Sequence, residues 1–414
     1  MIYEAIVIGG GPSGLMACNL LEQNKINYLL LEKNEKLAKK LLISGGKRCN
    51  VTNNLSVDQF IQSLNLKHKK FLYAALHDFG SKEIIEFFKD KGLNLVLEEG
   101  FKYFPETQKS ESVLEALMKD IDKNKIRYHH AVKRIDHDGL IFTIHTDEED
   151  FKTRNVIVAT GSNSYPTTGS SGDGLKLAKT FNLESIPFTP AETYVFSREV
   201  VEKHKDLQGV SIVSTKLKIN QTKLVYEGGL LFTHFGLTGP AILHASEDIY
   251  KELLKGDVDV SFSLVTQSRE QIIQLIDKAK KDKQTILKFL EGLTTKKLAG
   301  KIISLVGIDN KNINEISKQD INKMIEYLTN FQVKIDSVQT RDLAFVNAGG
   351  ITVNQLDPKT MRVKKIKGLY FIGETVDLHG PIGGFNITIA LSTGHLCAKD
   401  IIKHKGEYDE RNWI

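Results

Sequence analysis

The sequence predicts an α/β protein. A doubly wound, parallel-sheet domain is interrupted by a β-rich, barrel-like unit, which itself carries a helical insertion. Three observations predict it. The N-terminus reads strand, glycine turn, helix, strand. From about residue 190 the pattern changes to short strands with glycine-containing turns. From 268 it changes again, to a helical period, before strands resume near 333.

The elements follow in order. Tyr3–Ile8 is apolar after Glu4, with no polar alternation, as a strand buried on both faces requires. A glycine turn leads into a helical pattern at Leu15–Gln23, and a second strand, Asn27–Leu31, ends at Glu32. Residues 34–56 read as loop. Helical patterns return at 71–79, 82–91 and 112–123, among strand-like pieces at Leu93–Leu97, Arg127–Ile135 and Ile141–Thr146. Asn155–Ala159 is a further strand running into Thr160-Gly161. The stretch 193–264 reads as β, broken by a helical pattern at 241–254. Ser268 with Gln271 matches a capping box, after which Ile272, Ile273, Leu275 and Ile276 are expected to line one face. Helices follow around 285–293, 296–306 and 318–330. Strands return at Val333–Asp336, Ala344–Val346 and Gly368–Ile372, and a glycine-rich loop opens a helix at Ile387–Ile402. The expected division is 1–189 with 346–414, then 190–266 with 332–345, then 267–331.

Composition excludes several classes. The chain has 414 residues, 41% hydrophobic and 26% charged, so it is an ordinary globular protein of two or three domains. Its net charge of +5 comes from 56 basic and 51 acidic residues, and only 9 of the basic residues are arginine. Arginine dominates base-edge and bidentate phosphate recognition, so this balance speaks for a solvating lysine surface and against a nucleic-acid partner. Cys18, Cys49 and Cys397 are far apart and odd in number. That argues against a disulfide framework or a metal site and fits the cytoplasm. The first residues lack a basic n-region, and no run approaches the roughly 18–20 apolar residues of a bilayer span, so no membrane partner is expected.

Gly9, Gly11 and Gly14 form a G-x-G-x-x-G turn in its required context, between a strand and a helix. Gly9 permits the tight turn, Gly11 lets backbone approach a pyrophosphate, and Gly14 lets helix and strand pack closely. Pro12 and Ser13 lie in the same turn. The phosphates would sit on the helix N-terminus, where free N–H groups and the dipole favour anions. Glu32 follows Gly14 by 18 residues and can accept hydrogen bonds from an adenosine ribose, with Lys33 beside it. The domain is therefore Rossmann-like.

Two distant features separate the possible dinucleotides. One is the strand ending in Ala159-Thr160-Gly161. The other is the strand ending in Gly373-Glu374 and followed by Asp377. With the N-terminal turn they resemble the FAD-binding fold of the two-dinucleotide-binding-domain flavoproteins. The segments KKLLISGGKRCNVTN (39–53), SYPTTGSSGDG (164–174), LLFTHFGLTGPAIL (230–243) and GETVDLHGPIGGFNITIA (373–390) narrow this. Over essentially the whole chain they resemble the YhiN/BaiN-like bacterial flavoproteins, NAD(P)/FAD-dependent oxidoreductases. The resemblance implies non-covalent FAD, a three-part architecture and a redox role, with aminoacetone oxidases and steroid C=C reductases among the similar enzymes. Lys47 stands where the family's usual SGGGRCN has glycine, which leaves the shape of that loop open.

Further site residues follow. Lys40, Ser44, Gly45, Arg48, Cys49 and Asn50 would border the FAD, the small residues through backbone N–H groups and Arg48 by neutralising pyrophosphate charge. The Cys49 thiol itself is read as a packing group. The resemblance implies that Val132 gives its backbone to the adenine. Gly383, Gly384, Phe385, Asn386 and Ile387 open the last helix, whose N-terminus would stabilise negative charge on the flavin pyrimidine ring. Asp377 would bond the ribityl or pyrophosphate end. His379 is an ordinary polar neighbour. His234, in the glycine-rich stretch FTHFGLTGP, is the candidate catalytic acid or base. No second G-x-G-x-x-G is present, so NAD(P)H would bind transiently in the substrate cleft, or dioxygen would be the oxidant. The expected activity is hydride transfer between a small organic substrate and flavin N5. The alternatives are an RNA-modifying flavoprotein and a flavin sensor without turnover.

Overall fold

The computed structural model describes residues 1–98 and 100–405. The chain divides into two compact units, Met1–Thr189 with Val346–Ile414, and Pro190–Phe345.

The first unit is built on β1 (Ile2–Ile8), the helix Pro12–Gln23 and β2 (Tyr28–Leu31). All four side chains of β2 are buried. Each such large apolar side chain contributes roughly 1.5–3 kcal/mol relative to an exposed one, so a continuous apolar run selects the middle of the sheet. Then come β3 (Thr52–Asn53), β4 (Leu95–Glu98), β5 (Lys102–Pro105), β6 (Ile126–Arg127), β7 (Val132–His137), β8 (Phe142–Thr146) and β9 (Asp150–Val158). The main sheet runs β6-β2-β1-β9-β8-β7, and the strand Leu369–Phe371 also pairs with β9. β1 lies parallel to β2 and β9, from Ala5 opposite Tyr28 and Asn155 to Ile8 opposite Leu31 and Val158. Leu369–Phe371 is parallel to β9 as well, which sets the turns after β1, β9 and residue 371 at the same edge of the sheet. Strands β3, β5 and β4 form a separate small sheet.

Two readings change. Arg127–Ile135, read as one strand, is two. β6 ends at Arg127 and pairs with β2, the chain kinks through His129 at φ +60°, and β7 pairs antiparallel with β8. Residues 34–56, read as loop, contain a short helix, Lys39–Ile43, a tight turn at Ser44–Lys47 and β3.

The second unit holds a seven-stranded antiparallel sheet. It runs from Phe331–Ile335 through Val258–Phe262, Ser211–Ile219, Val225–Phe232, Gly236–Thr238 and Val195–Phe196 to Ser337–Val338. The two end strands are joined through Asp336 alone, so the sheet curls round on itself. The helices between Arg269 and Thr329 have no core of their own: Ile272, Ile276, Leu298, Ile302, Met324 and Leu328 belong to one cluster with Val258, Phe262 and Phe331. The capping box forms, with Ser268 Oγ accepting from Gln271 N and Gln271 Oε1 accepting from Ser268 N. The buried face behind it is narrower than expected. Ile272, Ile276 and Ala279 are buried, whereas Ile273 and Leu275 are 44% and 38% exposed. The helix packs on the helix Lys318–Thr329 and the turn Ile313–Glu315, and only an i, i+4, i+7 stripe of it is buried. Among the described residues no helix is long and apolar enough to cross a membrane.

Candidate cofactor and active site

The first unit gathers most of the expected residues into two groups, one near each end of the Gly384–Gly394 stretch of the helix Phe385–Lys403 and its cap.

The first group surrounds the N-terminus of the helix Pro12–Gln23. Gly9 has φ +103°, and a Cβ there would stand 2.6 Å from the Ala159 carbonyl oxygen. A Cβ on Gly14 would meet the Gly9 carbonyl oxygen at 2.1 Å and Val7 at 3.2 Å. Gly11 caps the helix without any side-chain hydrogen bond, and a Cβ on it would touch nothing within 4 Å. Two glycines are thus required by contact, while the third leaves backbone facing open space. Glu32 fixes the turn: its Oε2 accepts from Gly10 N at 2.9 Å, and its Oε1 accepts from Asn34 N at 2.9 Å and Asn34 Nδ2 at 2.7 Å. Oε2, which accepts one bond, retains acceptor capacity.

The turns after β9 and residue 371 complete this group. Gly161 N donates to Thr375 Oγ1 at 3.0 Å, and Gly373 leaves room for Ser13, whose Oγ is 2.6 Å from where a Cβ would stand. Lys40 Nζ lies 2.7 Å from Glu374 Oε2, which also accepts from Ser162 Oγ at 3.2 Å. Burial alone would raise the Glu374 carboxyl; the Lys40 ammonium and the Ser162 hydroxyl more than reverse that and hold it below the ordinary range. Thr160 Oγ1 is buried without a hydrogen-bond partner.

The second group lies at the start of the helix Phe385–Lys403. Gly383 and Gly384 have φ +118° and +84°, and a Cβ on Gly384 would stand 2.5 Å from the Thr52 carbonyl oxygen and 2.7 Å from Asn50 Oδ1. Asn386 braces the preceding loop, accepting from Gly380 N and donating to Gly380 O. Asn53 Nδ2 donates to Gly383 O at 3.3 Å. Phe385 is buried against Phe60, and Ile387 is half-buried. Asn50 Oδ1 is a second buried acceptor without a partner. Asp377 Oδ1 accepts from Gly349 N, and its carbonyl oxygen lies 2.6 Å from His68 Nε2. At 1.5 Å per residue, about 15 Å of helix separates Gly384 from Gly394, which packs on Ser13. An extended ligand such as FAD fits that span, and the orphaned atoms Thr160 Oγ1 and Asn50 Oδ1 are groups it could satisfy.

The intervening loop keeps its glycine-like shape despite Lys47. Gly45, Gly46, Lys47 and Cys49 all have positive φ, +53°, +67°, +70° and +62°. Ser44 Oγ donates to Leu41 O. Burial pushes the Cys49 thiol up to about 12, which leaves it a protonated packing group.

Lys33 pairs with Asp173 at 2.6 Å and with Ser171. Burial would raise Asp173, but Lys33 and Ser171 hold it at about 2. Arg48 binds Glu98 and Gln108 and lies 4.1 Å over the Phe104 ring. Val132 is half-buried, in register with Thr146. His379 is buried. His234 belongs to the second unit, exposed in the turn Thr233–Gly236, with its ring edge-on to Phe235 at 5.0 Å. Sequence reasoning missed Asn34, Ser162 and His68. Nothing local marks them, because their partners are distant in the chain or depend on a turn already formed.

A sheet with a parallel centre, a glycine turn after its first strand, an acidic residue at the end of the next and a second glycine turn at a late helix define the class: FAD-type oxidoreductases with a Rossmann-like domain. The chain matches the family described as HI0933-like protein Rossmann domain over residues 3–400, and it belongs to that family. It is 29% identical to a ribosomal RNA dihydrouridine synthase of Escherichia coli, over 97% of this chain and 99% of that one. It is 27% identical to a 3-dehydro-bile acid delta(4,6)-reductase of Clostridium scindens, over 95% and 97%. Among solved structures it is similar in fold to a 3-ketosteroid-delta4-(5alpha)-dehydrogenase of Rhodococcus jostii, with a TM-score of 0.54, 11% identity, and coverage of 97% and 96%.

Proposed function

We propose that the protein reduces a carbon–carbon double bond conjugated to a carbonyl, with non-covalent FAD as cofactor, and that the bond is C5–C6 of a uracil in ribosomal RNA. The observation that carries the cofactor is the pair of glycine-walled groups near the two ends of a helical stretch about 15 Å long, each with an orphaned buried polar atom. The relatives support the bond. A dihydrouridine is a uridine saturated at C5–C6, and a delta(4,6)-reductase acting on a 3-dehydro substrate saturates double bonds conjugated to a ketone.

Gly9, Gly11, Pro12, Ser13 and Gly14 would receive the pyrophosphate on the helix N-terminus, and Glu32 the adenosine ribose. Thr160, Gly161, Gly373 and Glu374, with Lys40, would flank the phosphates; Val132 would meet the adenine. Asn50 and Gly383–Ile387 would meet the flavin pyrimidine ring, with Asp377 at the ribityl chain. Bound FAD supplies the hydride chemistry. The net reaction consumes NAD(P)H and a proton and yields NAD(P)⁺ and the saturated ring, with the nicotinamide bound transiently. We take the site of action to be the cytoplasm, where ribosomal RNA and unpaired cysteines belong.

The test compares ribosomal RNA from cells with and without the gene by nucleoside mass spectrometry, alongside purified protein supplied with NADH or NADPH. Loss of one dihydrouridine on deletion and its return on complementation carry the reading. Unchanged dihydrouridine, or no FAD released on denaturation, defeats it. A second reading, a small conjugated ketone as substrate, is favoured by the scarcity of arginine, 9 against 47 lysines. It requires turnover of a steroid enone without RNA. His234 is our candidate for protonating the substrate carbon. His234→Ala should leave FAD bound but slow substrate reduction by up to about 100-fold. Equal single-turnover rates would remove it from the mechanism.

A further inference from the structure

Phe101 stands at the turn between β4 and β5 with φ +62°, a left-handed conformation that a bulky aromatic rarely adopts. The strain is held in place. The Phe101 carbonyl oxygen accepts from Asn54 N at 3.1 Å, and Val51 N donates to Tyr103 O at 2.9 Å, which ties the β5 side of the turn to the chain around β3. The conformation does not serve to bury the ring, which leaves the residue 41% exposed. A single exposed phenylalanine is unremarkable. What singles this one out is its neighbour. A Cβ on Gly383 would stand 3.6 Å from Phe101 Cε2 and 3.6 Å from Lys102 Cε. The residue that opens the Gly383–Gly384 turn therefore lies against the phenyl ring and the lysine stem, with Phe385 Cε2, 3.8 Å from the same Cβ position, beside them.

We infer that Phe101 is a substrate-positioning residue: its ring is the platform on which the uracil of an RNA strand stacks, and Lys102 meets the adjoining phosphate. This rests on the reading of the substrate as a ribosomal uridine. A planar base has a face for a phenyl to stack on. A lysine adds phosphate contact without sequence preference. Strain of this kind clusters at functional sites. The uracil would thus lie beside the helix start assigned above to the flavin pyrimidine ring.

The experiment uses the FAD-loaded protein, with Phe101→Ala, Phe101→Tyr and Phe101→Gly. Binding of a fluorescently labelled uridine-containing fragment of ribosomal RNA is read by anisotropy, and thermal melting is read in parallel. Phe101→Ala and Phe101→Gly are expected to weaken RNA binding by about 5- to 100-fold with FAD content unchanged, and Phe101→Tyr to bind as the parent does. Phe101→Gly is also expected to melt at or above the parent temperature, because glycine takes φ +62° without strain. Parent affinity in Phe101→Ala overturns the inference, and so does a large fall in melting temperature in Phe101→Gly, which would make the ring structural. Should the parent bind no RNA but reduce a steroid enone, the uridine reading fails by itself. Phe101 is then judged on KM for the enone: a rise in Phe101→Ala with kcat kept retains the stacking role, and an unchanged KM removes it.

Discussion

The turn Gly9–Gly14 and the loop Ser44–Asn50 are both glycine-rich and both assigned to one cofactor, yet they are built on opposite terms. In the first, glycine is a matter of space. Any side chain at Gly9 or Gly14 would collide with backbone of the same sheet-and-helix unit. In the second, glycine is a matter of torsion. A Cβ on Gly46 would meet nothing within 4 Å, but φ is positive at Gly45, Gly46, Lys47 and Cys49. The loop is held by Cys49 N donating to Ser44 O, by Arg48 N donating to Gly45 O and by the Arg48 side chain on Glu98. Packing makes the first turn intolerant of any added atom. The second stores torsional strain that a single substitution can release.

The largest expected effect is therefore at Gly14. Gly14→Ala places a methyl 2.1 Å from the Gly9 carbonyl oxygen, so helix and strand must separate. Overpacking of this kind costs typically about 1–3 kcal/mol and more where backbone is the obstacle. The variant should melt well below the parent and purify without FAD. A parent-like melting curve would break the contrast at once.

Glu32→Ala comes next. Beyond any ribose contact, it removes the acceptor that holds Gly10 N and Asn34. A charged hydrogen bond is worth about 1.5–3 kcal/mol, so FAD affinity, titrated on the apoprotein, should fall by about 10- to 150-fold. Unchanged affinity would leave Glu32 a purely structural brace.

Much of this first region was legible in the sequence, because its causes are local. Apolar runs in Tyr3–Ile8 and Asn27–Leu31 mark buried parallel strands, and the spacing of Gly9, Gly11 and Gly14 carries its own steric logic. The second region was legible only as a resemblance. Its helix at Lys39–Ile43 is too short to show a period, and Arg48 finds Glu98 from fifty residues away. For the same reason the ion pair of Lys33 with Asp173 has no marker in the sequence, since its partner lies 140 residues away. The break after Arg127 has no marker either, since His129 takes φ +60° where no glycine warns of a turn.

The Lys40–Glu374 pair sharpens the contrast through pH. Glu374 is held below its ordinary value of 4.5, so its contribution to stability is complete above that value and is lost as pH falls through the depressed one. Glu374→Gln lacks this contribution at every pH. Melting temperatures of parent and variant should differ at pH 7 and converge as the pH drops below about 4.5. A constant gap down to pH 3 would mean that Glu374 acts through packing alone.

The smallest effect is also the most pointed, because two neighbouring residues should move in opposite directions. Lys47 sits at φ +70° and is exposed, so Lys47→Gly removes torsional strain and little contact. An L-residue in the left-handed region costs roughly 1–2 kcal/mol, and the added freedom of glycine in the unfolded chain offsets part of the gain. The net expectation is a stabilisation of up to about 1 kcal/mol, with FAD affinity unchanged. Gly46→Ala, one residue earlier at φ +67° with nothing within 4 Å, should lose about the same amount for the same reason. Denaturant melts of both variants read the two signs directly. Should Lys47→Gly destabilise instead, the lysine has a partner worth more than its strain, and the loop is governed by contact after all, as the Gly9–Gly14 turn is.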